Sequence, residues 1–173
     1  MCCAPCASAS AERLMIDGNE VVLYFCNSNI YPREEYDKRL HYARKLANIL
    51  DVVIEEDQYD HELWLSKISG YENEPERGKR CSICFDFSLA RASTIAKRLD
   101  IPLFTTTLTI SPHKSSYQIF DIGKKYDNFY PVNFKKQNGF LRSLELSDKN
   151  ELYRQSYCGC EFSLRNQKLK STH

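Results

Sequence analysis

No stretch of this 173-residue chain approaches the roughly 18 consecutive apolar residues that a helix needs to cross a bilayer. The opening Met1-Cys2-Cys3-Ala4-Pro5-Cys6 lacks the basic-then-apolar order of a secretory leader. These two absences predict a cytoplasmic protein with no membrane partner. An excess of charge of one sign is also missing. The 24 Lys and Arg stand against 23 Asp and Glu, so the net charge of +1 argues neither for nor against nucleic acid. Glycine is sparse, at 6 residues, and no glycine-rich phosphate loop is visible, which counts against a nucleotide-activating enzyme. Internal repeats and low-complexity tracts are absent, which leaves a single metal-binding α/β domain over residues 1–173.

Cysteine is what the chain has in quantity. Seven of the eight fall in three groups, Cys2-Cys3-x-x-Cys6, Cys81-x-x-Cys84 and Cys158-x-Cys160. In a short secreted chain such a count reads as a disulfide framework; in a longer chain without a leader, grouped cysteines more often bind metal or do redox work. Thiolates two residues apart can converge on one centre, and tetrahedral thiolate sites belong to zinc or iron–sulfur clusters. A zinc held by four thiolates would leave three of the seven over, so a cluster plus something further suits the number better. Cys158-Gly159-Cys160 can close a small strained ring, and strained disulfides are the easily reduced, catalytic kind; the pair can equally hold a second metal. Cys26 ends an apolar strand and reads as a small buried hydrophobe. Asp86, two residues past Cys84, is either a further metal ligand or a helix-dipole partner.

Strand and helix alternate along the chain. Residues 20–26 and 52–54 read as strands, as do 101–106 and 129–132; helices are expected at 7–15, 36–50, 61–68, from Cys81 to about Leu99, and near 141–152. Ser111 as N-cap with Pro112 at the first helical position predicts one more helix, whose N-terminus places Ser111, His113 and Lys114 where phosphate binds. The alternation predicts a parallel sheet with helices on both faces, with ligands beyond the carboxyl ends of the strands. The last forty residues carry a modest basic excess in Lys135, Lys136, Arg142, Lys149, Arg154, Arg165, Lys168 and Lys170.

Read with their neighbours, these groups resemble one family. The stretches are Cys2-Cys3-Ala4-Pro5-Cys6, Asn27-Ser28-Asn29-Ile30 with Glu35-Tyr36, residues 74–85 from Glu74 through Cys81 to Phe85, residues 104–114 from Phe104 to Lys114, and residues 152–160 from Leu152 to Cys160. In this order they resemble the cobalamin-independent epoxyqueuosine reductase QueH family. The resemblance implies an iron–sulfur oxidoreductase that removes the epoxide oxygen of epoxyqueuosine at the wobble position of transfer RNA, giving queuosine. It implies a HUP-type (Rossmann-like) layer, a [4Fe-4S] cluster, a second mononuclear iron or zinc, and an electron donor. Carried over, Cys2, Cys3, Cys81 and Cys84 hold the cluster. Cys158 and Cys160 form a redox-active disulfide pair or bind the second metal, with Cys6 and Asp86 as further ligands. Arg80, Lys114, Lys135, Lys136 and Arg154 are expected to contact phosphates of the transfer RNA. Two features depart from the family: its short strand before the first cysteines has no counterpart here, and Asn133 stands where the family often has Asp. Other readings use the same residues: a zinc-stapled tRNA-binding module, a HUP-type tRNA sulfur-transfer enzyme, or a thiol–disulfide oxidoreductase working through Cys158 and Cys160.

Overall fold

The computed structural model describes residues 1–170. In chain order these form α1 (Ala4–Ile16), β1 (Leu23–Phe25), α2 (Arg33–Leu50), β2 (Ile54–Glu56), α3 (His61–Ile68), α4 (Lys79–Arg98), a 3-10 turn (Thr107–Ile110), α5 (Ser116–Gly123), α6 (Gly139–Lys149) and α7 (Glu161–Lys170). The molecule is α/β, as the alternation predicts. β1 and β2 pair in parallel, Leu23 opposite Ile54 and Phe25 opposite Glu56, with α2 as the crossover between them.

The sheet is narrower than expected. The segments at 101–106 and 129–132 meet only at an isolated parallel bridge between Phe104 and Phe129. Two prolines account for this. Pro102 and Pro131 flank the bridge and have no N–H to extend a ladder. Just beyond, the Thr106 hydroxyl accepts from the Leu108 N–H at 3.3 Å and turns the chain into the 3-10 turn.

α1 begins earlier than expected, at Ala4, with Pro5 in its first turn and Cys3 as N-cap, so Cys6 is helical. It is the most enclosed helix. Ala4, Ala7 and Ala11 pack against Leu23, Leu46, Ala47 and Leu152, while Ala9 meets Ile110, Phe134 and Leu146. Small residues on two faces let it lie close to both α2 and α6 and bring the first cysteines into the interior. α6 starts at Gly139 because a Cβ there would collide with the Phe134 carbonyl.

α3 spans the predicted 61–68, capped by Asp60, whose carboxylate accepts from the Leu63 N–H at 2.9 Å. The helix expected to open at Ser111 does not. Ser111 follows the 3-10 turn, its hydroxyl accepts from the His113 N–H at 3.2 Å, and the cap passes to Ser115, which receives the Gln118 N–H at 3.3 Å. α5 therefore begins at Ser116, and the Ser111–Lys114 segment is a turn rather than a helix N-terminus. α7 lies beyond the last element read from the sequence; the side chains of Lys168 and Lys170 fall outside the described residues.

Candidate metal centre

Three elements deliver their cysteines to one cavity of about 570 Å³. The N-terminus of α1 brings Cys2, Cys3 and Cys6, the first turns of α4 bring Cys81 and Cys84, and the loop before α7 brings Cys158. The spacing of Cys81 and Cys84 puts both on one helix face. The sulfurs of Cys2, Cys3 and Cys6 lie within 4.8 Å of one another, those of Cys2 and Cys3 at 3.7 Å. Cys6, expected as an outlying ligand, is therefore in the same group as Cys2 and Cys3.

The three thiols are electrostatically linked. Hydrogen bonding with Cys3 and Cys6 holds Cys2 well below the usual thiol range, and Lys114 assists. The Cys2 sulfur in turn pushes Cys3 up to about 12 and Cys6 well above its ordinary value. Three sulfurs this close together offer a preformed position for a soft cation. The other thiols are more protected. Burial raises Cys81, against the Arg77 backbone N–H that donates to its sulfur at 3.2 Å, and burial raises Cys84 strongly.

Lys114 is placed between the thiol groups. Its ammonium nitrogen is 3.1 Å from the Cys158 sulfur, and it also feels Cys2 and Cys84. Burial works to lower its pKa, but the neighbouring sulfurs outweigh this and leave it raised. Its side chain also passes over the Phe85 ring. The loop carrying Cys158 is fixed by Arg39, which is 1% exposed. Arg39 is paired to Glu35 at 2.7 Å and donates to the carbonyls of Cys158 at 3.0 Å and Tyr157 at 3.3 Å. Gly159 has φ of +140°, and a Cβ there would press on Arg39 at 3.2 Å.

Several expected residues stand elsewhere. Cys160 is buried with Trp64, Ile68 and Phe162, pushed up to about 11 by burial, and does not line the cavity. It is separated from Cys158 because the positive φ of Gly159 turns successive side chains apart; all eight cysteines are free thiols. Asp86 is not in the cavity lining. Two residues past Cys84 is about half a helical turn, which directs Asp86 to the Tyr126 hydroxyl at 2.8 Å and the Lys125 ammonium at 3.1 Å. Asn133 caps a turn, accepting from the Lys135 N–H at 3.1 Å.

The expected phosphate contacts also divide. Arg80 is 1% exposed and turned inward, where no phosphate reaches it. Lys114 is committed to Cys158, and the Lys135 ammonium donates to the Lys114 carbonyl at 2.6 Å. Lys136 and Arg154 are exposed, Arg154 on the cavity rim. His113, expected with Ser111 and Lys114 at a phosphate site, joins that rim, as does Arg77. So does Gln118, whose amide donates to the Ser82 hydroxyl at 2.7 Å and whose side chain reaches from α5 to the cysteine-bearing α4, while Arg39, behind the Cys158 loop, is buried. No helix is long and apolar enough to cross a membrane among the described residues.

A donor set of clustered sulfurs fits a soft, thiolate-bound metal, and a half-enclosed cavity beside it leaves room for a substrate. The architecture is thus that of an α/β protein whose clustered cysteines could hold a metal ion. A family model described as epoxyqueuosine reductase QueH matches residues 1–166, and the chain belongs to that family. It is 37% identical to the epoxyqueuosine reductase QueH of Streptococcus pyogenes serotype M1, with 96% of this chain and 69% of the relative covered. The QueH of Haemophilus influenzae is also 37% identical, over 95% of this chain and 70% of its own length. That of Thermotoga maritima is 33% identical, over 98% and 91%.

Proposed function

We propose that this chain is an oxidoreductase that deoxygenates epoxyqueuosine in transfer RNA to queuosine. The observation that carries the reading is the convergence of six cysteines from three distant segments, with Lys114 among them, on one cavity in a chain matched by the reductase family over residues 1–166.

Removing the oxygen of an epoxide to leave an alkene takes two electrons and two protons and releases water. Cys2, Cys3 and Cys6, with Cys81 and Cys84 on the facing helix, would hold the metal: a [4Fe-4S] cluster and a second mononuclear iron or zinc. Bound there, such groups would supply single electrons at low potential and Lewis acidity. The chain's own residues do the rest. Lys114 presents its ammonium to the epoxide oxygen, stabilising charge as the carbon–oxygen bond opens and holding the proton that oxygen takes up. Cys158, exposed on the cavity side and fixed by Arg39, is the catalytic thiol beside it. Phe85, Leu108 and Phe140 give the cavity an apolar wall for the cyclopentane ring. Lys136 and Arg154 remain to contact phosphates of the anticodon arm.

The parallel β1–α2–β2 unit supports a HUP-type layer as the scaffold. Eight free thiols suit the reducing cytoplasm, with an external electron donor.

The test is anaerobic purification, reconstitution with iron and sulfide, and assay with epoxyqueuosine-containing transfer RNA. About four sulfides with four or five irons per chain, absorption near 400 nm and formation of queuosine are expected. One tightly held zinc, no sulfide and no product would overturn the reading.

A further inference from the structure

Arg80 is a buried cation without an anion. Its side chain is 1% exposed. One guanidinium nitrogen, Nη1, donates to the backbone carbonyls of Glu72 at 2.8 Å, Tyr71 at 3.4 Å and Glu74. The other two, Nε and Nη2, have no hydrogen-bond partner among the described residues. The group lies 4.6 Å over the Phe162 ring, and no ion pair among the described residues includes it. A guanidinium stays charged at any pH a protein survives, so an isolated one in the interior is strongly unfavourable.

The ring beneath it, Phe162, packs in one cluster with Cys160, and Cys84 packs against that cluster. Arg80 immediately precedes Cys81 in the first turn of α4, and Phe162 follows Cys160 by two residues. The Arg80 backbone is thus one residue from Cys81 on α4, and its guanidinium lies over a ring that packs in the cluster touching Cys84. With neutral thiols the cation is uncompensated; with metal-bound thiolates beside it, the balance is restored.

We propose that Arg80 is the fixed internal counter-charge of the thiolate-bound metal: a positioning residue that stabilises the reduced, more negative state and ties the 71–74 loop to it. This rests on the reading that Cys81 and Cys84 bind the redox metal. A positive charge held in a low-dielectric interior favours electron uptake, so its removal lowers the midpoint potential. A merely structural arginine would alter thermal stability and leave the potential unmoved.

The experiment compares wild type, Arg80→Lys, Arg80→Met and Arg80→Gln, each reconstituted with iron and sulfide and titrated by potentiometry. Arg80→Met should lower the reduced-to-oxidised ratio at fixed potential by on the order of tenfold, equivalent to 59 mV for a one-electron couple. Arg80→Lys, which keeps the charge but not the three carbonyl contacts, should stay near the wild-type potential while its melting temperature falls. Should Arg80→Met not fold, the Lys and Gln variants carry the same comparison, Gln dropping and Lys holding. Equal potentials in the charged and neutral variants would overturn the proposal. Wild type that takes up no cluster would overturn the underlying metal reading instead, and is recognised before any variant is measured.

Discussion

Lys114 combines two properties: a half-buried ammonium at the cavity, and a sulfur at 3.1 Å that favours its charged form. A donor of that kind matters most to an oxygen acquiring charge. Replacing Lys114 with Met should lower turnover by about 10²–10⁴, with iron and sulfide per chain unchanged; turnover at the wild-type rate would remove it from the chemistry. Asp86→Asn should leave both metal content and turnover near wild type, because its carboxylate serves Tyr126 and Lys125 outside the cavity. Loss of iron in that variant would return Asp86 to the site. Two of the cysteine groups were legible in the sequence because Cys2, Cys3 and Cys6 share one cap and first turn and Cys81 and Cys84 one helix face; Cys158 and Cys160 misled, because Gly159 parts them. The cations were not legible. Nothing in the letters around Arg80, Lys114 or Lys135 distinguishes a phosphate-facing charge from one folded inward, since burial is set by segments far away in the chain.

At the level of elements, the 3.6-residue periodicity of Tyr36, Leu40, Ala43, Leu46, Ala47 and Leu50 marked out α2, which runs from Arg33 to Leu50. α3 likewise occupies the residues its pattern indicated. The strands were overread. Apolar β-rich runs at 101–106 and 129–132 look like strands, but prolines beside a single bridge leave no ladder to propagate. α7 went unread because Phe162 and Leu164 are too few to show a period. The loop between α6 and α7 carries the sharpest backbone requirement. Gly159→Ala would need φ near +140° and a Cβ 3.2 Å from Arg39, displacing Cys158 from Lys114. We expect a cost of about 1–3 kcal/mol in unfolding free energy and a larger proportional loss of turnover, read by denaturant titration beside a single-turnover assay. Unaltered kinetics would show that the loop's geometry is not what places Cys158.

For the molecule as a whole, buried thiols make the metal-free protein sensitive to alkali. Burial and the Asp57 carboxylate push Cys26 up to about 12, and burial pushes Cys160 to about 11, against an ordinary 9.0. Unfolded, these thiols release protons near 9.0; folded, they keep them. Between those values the unfolded chain binds fewer protons, so stability falls as pH rises, and below the ordinary value they contribute no slope. The melting temperature of metal-free protein should therefore decline above pH 9, and Cys26→Ala should flatten the decline. An unchanged slope would assign it to other groups.

The cavity wall is drawn from residues 2–6, 81–84 and 158, so its contributors span nearly the whole chain. During synthesis the first cysteines leave the ribosome long before Cys158 does. A nascent chain holds only scattered thiols, open to oxidation and to stray zinc. The cavity closes only on release and collapse of the chain, so any metal it takes would be enclosed at a late step, and the half-made protein depends on a reducing surrounding.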